Sequence, residues 1–333
     1  AVFIQFLLFS SLAAMAFTNP EIHTLHMALF AFIASFLSAS QDIVLDAYRV
    51  ESFEDEPEKQ ASGVAIYVLG YRLGLIFSGA GAIYMASVLS WSEVYLIMAC
   101  GLFVGFAAIL LAKEPQKYQY KKYKLKLKDS MEFVKNSIVN PFKDFAKRRH
   151  WYWILLFIFT YRLSNAYFAP MSFPFYVDLG FSKAEIASVI KIYGMIAAIL
   201  GGLSGGLIVM KFGLKNSLLL FGMTQCLTTF LFAVQAKYGH NMPLFITIIT
   251  LENFSSGLAT TALVAYISSL CNKLYTATQY ALLSSVMSLS RDIFSSTSGL
   301  LAQYVSWNVF FIISGCLSLP SLIIVWFCLK KDK

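Results

Sequence analysis

The stretch SASQDIVLDAYR, at residues 38–49, places two carboxylates in the last turns of an apolar helix long enough to cross a membrane. Asp42 and Asp46 are four residues apart and Arg49 follows three residues later, so the three side chains share one helical face. A charge within a bilayer span costs about 2.5–3.5 kcal/mol on insertion scales, so such residues usually have a function or a partner. The segment therefore indicates a transport protein and not a simple membrane anchor.

The composition is that of a helical membrane protein with several spans. Of the 333 residues, 58% are hydrophobic and 13% are charged, whereas about 25% of the residues in a soluble domain are charged. Apolar runs of about 20 residues, the length that crosses a bilayer as a helix, fill nearly the whole chain. They predict ten spans, near residues 1–17, 24–46, 63–89, 93–112, 151–177, 184–209, 214–236, 243–271, 277–303 and 305–329.

The distribution of lysine and arginine predicts the orientation. Twelve of the 26 lie in residues 113–149, and eight more lie in other segments on the same side of the predicted spans. The opposite side holds two, Lys183 and Lys237. Cytoplasmic segments are enriched in these residues, so the basic side and the C-terminus are expected in the cytoplasm. The net charge of +8 then reflects topology and attraction to anionic lipids, and nucleic acid is not an expected partner.

The basic segment 113–150 divides the chain into two groups of spans. Residues 1–112 form an N-terminal bundle of four predicted helices, and residues 151–333 form a C-terminal bundle of six. Two bundles joined by a long basic loop are typical of a two-half transporter. Within the loop, apolar residues at helical spacing predict a helix on the membrane surface over Ser130–Lys147.

Eight charged residues lie within predicted spans, four acidic and four basic, and each would be unfavourable alone in hydrocarbon. They are Asp42, Asp46, Arg72, Arg162, Lys191, Glu252, Arg291 and Asp292. We expect Asp42 to pair with Arg72, and Glu252 to pair with Lys191 or Arg291. Arg291 and Asp292 are adjacent, about 100° apart on a helix, so each is expected to have a partner elsewhere.

Nothing in the sequence indicates an enzyme, a metal site or a cofactor. The five cysteines stand singly, the four histidines lack metal-ligand spacing, and no Ser/His/Asp set or phosphate-binding glycine loop is present. Small residues instead recur within spans, at Gly70–Gly74 and in GGLSGG at Gly201–Gly206. This spacing predicts close contact between helices.

Three segments together resemble the muropeptide permease (AmpG) family of bacterial major facilitators. They are SASQDIVLDAYRVE (Ser38–Glu51), GVAIYVLGYRLGLIFSG (Gly63–Gly79) and LENFSSGLATTALVAYISSLCNKLYTATQYALLSSVMSLSR (Leu251–Arg291). The resemblance extends over about residues 1–331. It implies an all-α major facilitator fold and a proton-coupled importer in the bacterial inner membrane. The implied cargo is anhydro-muropeptide, a sugar–peptide product of cell-wall breakdown.

The chain starts at Ala1, directly inside an apolar run and without Met, so we expect two helices to precede it. The ten spans would then be helices 3–12 of a twelve-helix carrier. On that numbering the charged residues fall on the helices that line or flank the central cavity of a major facilitator. Helices 3, 6, 9 and 12, which face lipid in that architecture, carry no charge in their interiors.

The resemblance also implies the residues of the site. The matching positions are Gln41, Asp42, Asp46, Tyr71, Arg72, Lys191, Glu252, Asn253, Gln279 and Arg291. Asp42, Asp46 and Glu252 are the candidates for proton coupling, because a carboxylate can change its protonation with its surroundings, and Asp42 is favoured. The segment YRLSNAYFAP (Tyr161–Pro170) departs from the family pattern, which has an acid where Asn165 stands, so this helix is not expected to carry the proton.

The chemistry of the remaining residues fits a sugar–peptide. Arg72, Arg162 and Arg291 could each hold a carboxylate by two parallel hydrogen bonds. Asn165, Asn253, Gln225 and Gln279 could meet sugar hydroxyls if they face a cavity. The predicted substrate site consists of Gln41, Tyr71, Arg72, Arg162, Asn165, Lys191, Asn253, Gln279 and Arg291.

Two other functions remain open on the sequence. The first is a carrier of another anionic metabolite, such as acetyl-CoA, because a related transporter group shares a similar QDI…D motif. The second is a paralogue that does not transport, either sensor-like or decayed, because the predicted N-terminal bundle is incomplete.

Overall fold

In a computed structural model, residues 1–53, 57–112, 135–272 and 274–327 are described, and within these ranges the chain forms helices and turns without any strand. The helices are α1 (Val2–Ala16), α2 (Thr24–Ser52), α3 (Pro57–Leu75), α4 (Ala82–Ala86), α5 (Trp91–Leu111), α6 (Asn140–Ala146), α7 (Trp151–Tyr161), α8 (Leu163–Asp178), α9 (Lys183–Ser188), α10 (Met195–Phe212), α11 (Leu214–Tyr238), α12 (Met242–Ser269), α13 (Thr276–Ala302), α14 (Trp307–Cys316) and α15 (Leu319–Phe327). Three π-helical turns precede α4, α10 and α6, at Ile76–Gly81, Val189–Gly194 and Lys135–Val139.

Seven helices in the described ranges are long and apolar enough to cross a membrane. They are Thr24–Ser52, Lys59–Ala86, Trp91–Leu111, Lys183–Phe212, Leu214–Tyr238, Met242–Ser269 and Trp307–Phe327. The predicted count of ten is not confirmed. Val2–Ala16 has 15 residues, the predicted span at 151–177 is broken at Arg162, and Thr276–Ala302 is rich in serine and threonine.

Capping residues and one glycine turn fix several helix ends that hydropathy alone locates only to within several residues. Ser90 and Glu93 form a capping box at the start of α5, and Ser182 and Glu185 form another at α9. The turn between α10 and α11 needs Gly213, whose φ of +78° is strained for any residue with a side chain. These signals keep the turns short, so successive helices lie beside each other.

The larger hydrophobic core joins N-terminal and C-terminal helices at one end of the molecule, which we call the α6 end. Val50 of α2 and Ala61 and Val64 of α3 lie in the same buried cluster as Phe145 of α6 and Leu258 of α12. The predicted surface helix is therefore partly anchored in the core, and its first residues, 130–134, lie outside the described ranges. A second core belongs to the C-terminal helices alone and is chiefly aromatic, with Phe175, Phe232, Phe245, Phe310 and Phe311 fully buried.

The glycine cluster of α10 brings three helices together, as GGLSGG predicts. A Cβ at Gly201 would overlap the carbonyl oxygen of Phe254 on α12, and one at Gly206 would lie 3.0 Å from the carbonyl oxygen of Ala61 on α3. This glycine seam thus joins α10 to α12 and, across the molecule, to α3. The prediction was wrong for Gly70–Gly74, where a Cβ at either glycine would meet nothing within 4 Å.

Gly201→Ala is expected to destabilise the fold by about 1–3 kcal/mol, the usual cost of forcing an extra carbon into a packed contact. The clash is with backbone, which cannot move aside as a flexible side chain can. Gly70→Ala is the matched control, since its methyl group enters open space and gains helix propensity. Thermal unfolding in detergent measures both, and an unchanged melting temperature for Gly201→Ala would contradict the packing described.

Candidate functional site

Two cavities lie between the N-terminal and C-terminal helices, and three side chains line both. The distal cavity, of about 390 Å³, lies toward the end opposite α6. The proximal cavity, of about 470 Å³, lies toward the α6 end. The shared side chains are Arg72 of α3, Asn165 of α8, and Arg162 at the break between α7 and α8. A larger cavity of about 860 Å³ lies between α1, α3 and α5, but among the described residues no charged side chain lines it.

Arg162 occupies the break between α7 and α8, where its φ of −108° and ψ of 16° are not helical. Its guanidinium donates to the carbonyl oxygen and hydroxyl of Ser256, at 3.3 and 3.0 Å, and to the hydroxyl of Thr260. Ser256 and Thr260 are one turn apart on α12, so they present two hydroxyls to one side of the arginine. A fourth contact, from Nη2 to Asn165 Oδ1, measures 3.2 Å. The arginine is therefore held in a fixed orientation at the cavity wall.

Glu252 of α12 is buried, with 7% of its surface exposed, and lines the distal cavity. Its Oε1 accepts a hydrogen bond of 3.0 Å from Asn165 Nδ2. Asn165 thus connects Arg162 to Glu252 through a neutral amide, whose oxygen faces the cation and whose nitrogen faces the anion. An acid at position 165 would place a second negative charge beside Glu252. The neutral amide of Asn165 therefore adds no second negative charge beside Glu252.

The cavity walls carry more positive than negative charge. Arg72 lines both cavities, and its Nε is buried without a hydrogen-bond partner among the described residues. Arg291 lines the proximal cavity, as does Asp46. Three arginines thus face a space whose acidic lining residues are Glu252 and Asp46. Such a space favours an anion, because clustered positive charge raises the local concentration of negative ligands.

The structure places two further predicted residues in the lining of the same space. Tyr71 lines the proximal cavity and Asn253 lines the distal one, where its amide donates to the carbonyl oxygen of Ile249. Together with the charged groups, the predicted residues that line a cavity are Asp46, Tyr71, Arg72, Arg162, Asn165, Glu252, Asn253 and Arg291.

Four predicted site residues line neither cavity. Gln41 is buried against Gln5 of α1, to which it donates a hydrogen bond of 2.8 Å. Asp42 and Lys191 are exposed. Gln279 is fully buried and anchors α6 by donating to the carbonyl oxygen of Pro141 and to Asp144. Gln225, considered for sugar hydroxyls, is also buried and outside both cavities.

The predicted ion pairs are absent from the part of the chain that the structure describes. Glu252 contacts Asn165 instead of Lys191 or Arg291, and no ion pair joins Asp42 to Arg72. Arg291 contacts its neighbour Asp292, with 3.2 Å between Nε and Oδ1, contrary to the expected partners elsewhere. Both side chains are about two-thirds exposed, so extended rotamers can bridge the 100° between them at little cost.

Sequence reasoning missed Ser256 and Thr260, although a signal for both was present. They follow Glu252 at intervals of four residues, and this spacing puts all three on one face of α12. Hydroxyl residues are common in apolar helices, and their usual contact is with the carbonyl oxygen one turn earlier, so their presence alone does not indicate a site.

In the ranges described, no group of three His, Cys, Asp or Glu side chains comes close enough to hold a metal ion.

Comparison with known proteins identifies the family. The Major Facilitator Superfamily model matches residues 1–234 and 154–333. A Rickettsia felis protein named as transporter AmpG 4 is 36% identical over 96% of this chain and 76% of its own length. The anhydromuropeptide permease of Escherichia coli K12 is 33% identical over 97% of this chain and 64% of its own length. These names do not favour the acetyl-CoA alternative.

Solved structures show the same fold at low sequence identity. The proton:xylose symporter XylE has a TM-score of 0.74 at 12% identity and covers 98% of this chain and 79% of its own. FucP in its outward conformation has a TM-score of 0.72 at 12% identity, covering 98% and 81%. The fold, the membrane-length helices and the matched relatives lead to one conclusion: the chain belongs to the major facilitator superfamily of multi-pass membrane transporters and, within it, to the AmpG permease family.

Proposed function

We propose that this protein is a proton-coupled secondary transporter that imports anhydro-muropeptides across the bacterial inner membrane for cell-wall recycling. The observation that carries the proposal is the group of three arginines around two cavities at the centre of a permease-type fold. Muropeptides bear several carboxylates, and arginine binds a carboxylate with two parallel hydrogen bonds. The name of the Escherichia coli relative supports the same cargo.

We propose a topology of ten spans, arranged as an N-terminal bundle at 1–112 and a C-terminal bundle at 151–333. The loop at 113–150, the α6 end and the C-terminus would lie in the cytoplasm, where the basic loop would face anionic lipid headgroups. The shared core and the glycine seam close the α6 end in this structure. This supports an outward-open state, and so does the similarity to outward-facing FucP.

The proposed coupling follows from the chain of contacts between Arg162, Asn165 and Glu252. With Glu252 ionised, its negative charge balances the charge of Arg162 through the amide of Asn165. A proton on Glu252 removes that balance and leaves Arg162 available to a cargo carboxylate. A proton and an anionic cargo would therefore bind together, which is what symport requires. Arg72 and Arg291 would bind further carboxylates, and Asn253 and Tyr71 would meet the sugar.

Uptake into proteoliposomes tests this function. With an acidic exterior, labelled anhydro-muropeptide should accumulate about tenfold per pH unit if one proton accompanies each cargo molecule, because a unit of pH corresponds to 1.36 kcal/mol. A protonophore should abolish accumulation, and unlabelled cargo with amidated carboxylates should compete poorly. Labelled acetyl-CoA is the matched anionic control and should not accumulate. Absence of muropeptide uptake by the full-length protein would refute the proposal, and uptake of acetyl-CoA would replace it.

A further inference from the structure

We infer that Arg49 is a positioning residue that couples protonation of Asp46 to the closure of the α6 end. This inference rests on the proposed function, because it concerns the path of the coupled proton. Arg49 belongs to the segment at residues 38–49 but lies outside the cargo site described above. Its side chain is 7% exposed, so it is not a solvated residue at a helix end.

Arg49 bridges the N-terminal and C-terminal helices through both terminal nitrogens of its guanidinium. Nη2 donates to Asp46 Oδ1 on the same helix at 3.1 Å. Nη1 donates to the hydroxyl of Ser268 at the end of α12, at 3.0 Å. The ion pair and the contact between the two groups of helices therefore depend on the same planar group.

The guanidinium of Arg49 packs against two tyrosine rings, one from the N-terminal helices and one from the C-terminal helices. The Arg49 Cζ lies 5.3 Å from the ring centre of Tyr67 on α3 and 5.2 Å from that of Tyr280 on α13. Both distances are within the range of cation–π attraction. Counting Asp46 and Ser268, the arginine contacts α2 and α3 on one side and α12 and α13 on the other.

The closure depends on the charge of Asp46, because arginine stays protonated in proteins. Asp46 supplies the counter-charge through its ion pair with Nη2, and the Nε of Arg49 is buried without a hydrogen-bond partner in the described ranges. A proton on Asp46 leaves a buried cation without its anion, a strongly unfavourable state. The guanidinium then gains by moving into water, which breaks its contacts with Ser268 and Tyr280 and allows the helices to part.

Several titratable or charged groups surround Arg49 and Asp46. They are Asp42 and Asp46 from α2, Tyr67 and Tyr71 from α3, Tyr280 from α13, Cys271 after α12, and Arg148. Of these, the carboxylates change charge in the acidic range, whereas tyrosine, cysteine and arginine ordinarily do not. Asp46 also lines the proximal cavity together with Arg72 and Arg162. A proton released from the cargo site toward the α6 end therefore reaches Asp46 within the same space.

Cys271 provides a native reporter for opening of this end. It lies three residues after Ser268 and is partly buried. In full-length protein with Cys100, Cys226, Cys316 and Cys328 changed to serine, its labelling by N-ethylmaleimide would be timed in inside-out vesicles. Each rate would be divided by that of the denatured protein at the same pH, which corrects for the pH dependence of an exposed thiol.

Arg49→Ala should label Cys271 about tenfold faster than the parent, the change expected when a contact worth about 1.4 kcal/mol is lost. Arg149→Ala is the matched control, because Arg149 lies at the same end and is exposed. Arg49→Lys, which keeps the charge but loses the stacked planar group, should label at an intermediate rate. Asp46→Asn should label fast at neutral and acidic pH alike, whereas the parent should label faster only in acid.

Two outcomes would overturn the inference: parental labelling rates in Arg49→Ala, or a pH dependence that survives in Asp46→Asn and disappears in Asp42→Asn. If Arg49→Ala fails to yield a monodisperse protein, Asp46→Asn and Tyr280→Leu decide the matter, and a parental rate in both would overturn it. Labelling needs no cargo. A protein that shows the expected labelling but takes up no muropeptide would therefore refute the proposed cargo and leave this coupling intact.

Discussion

Arg162→Gln is expected to lower the ratio of maximal uptake rate to KM about 100-fold. Glutamine removes the positive charge and the fork of donors that would hold a cargo carboxylate. Hydrogen bonds to charged groups contribute about 1.5–3 kcal/mol each, so losing a bidentate pair costs about 3 kcal/mol, or about two powers of ten. In this structure Ser256, Thr260 and Asn165 hold the guanidinium at the cavity wall, and a cargo carboxylate would replace two of these contacts. Initial rates of labelled muropeptide uptake measure the effect.

Two variants separate this effect from a general loss of charge. Arg149→Gln removes one positive charge from an exposed site and should transport normally. Arg162→Lys keeps the charge but not the planar fork, so its uptake should lie between those of the parent and Arg162→Gln. A parental KM and maximal rate in Arg162→Gln would exclude Arg162 from cargo binding.

Glu252→Gln is expected to abolish accumulation driven by a proton gradient while leaving exchange of cargo across the membrane. The substituted amide has nearly the shape of the carboxylate, and its oxygen can still accept the hydrogen bond from Asn165. It cannot take up a proton, so cargo movement loses its driving force. Counterflow of labelled against unlabelled muropeptide, compared with uptake under an imposed pH gradient, measures the two activities separately.

The control for this variant is Glu21→Gln, at an exposed position between α1 and α2. It makes the same chemical change outside the cavities and should leave both activities intact. Gradient-driven accumulation by Glu252→Gln at the parental level would assign the proton to another group, of which Asp46 is the next candidate. Loss of counterflow as well would show that Glu252 also binds cargo.

The position of the charged residues along their helices could be predicted from the sequence. A helix rises 1.5 Å per residue, so Arg72, Arg162, Glu252 and Arg291 each lie about 15–23 Å from the start of a helix or helical run. Hydropathy locates those starts well enough to place all four at a similar distance along their helices. This is why the predicted group and the observed cavity lining share so many members.

The rotation of each helix about its axis could not be predicted in the same way. Asp42 and Asp46 share a face by spacing, yet Asp46 lines the proximal cavity and Asp42 is exposed. Four residues correspond to 400°, so the two side chains differ by about 40° and 6 Å along the axis. At the edge of a cavity that difference decides which side chain is inside. The expected Asp42–Arg72 pair failed for this reason.

Buried amides are the other feature that a local pattern does not resolve. Gln41 and Gln279 sit on predicted spans, and a polar group in that position suggests a ligand. In this structure both join parts of the fold, Gln41 by contacting Gln5 and Gln279 by holding α6. The partner in each case lies far away in the sequence, so no local pattern distinguishes an amide that binds cargo from one that joins helices.

The glycine seam between α10 and α3 also determines how easily the protein can change state. Glycine and alanine bring backbones close together but bury little side-chain surface, and the hydrophobic gain follows the buried area at about 25 cal/mol per Å². Separating Gly206 from Ala61 and Ala65 therefore exposes much less apolar surface than separating a seam of leucines would. Such a contact packs closely, yet its separation costs little free energy. This suits a protein that must open and close in every transport cycle.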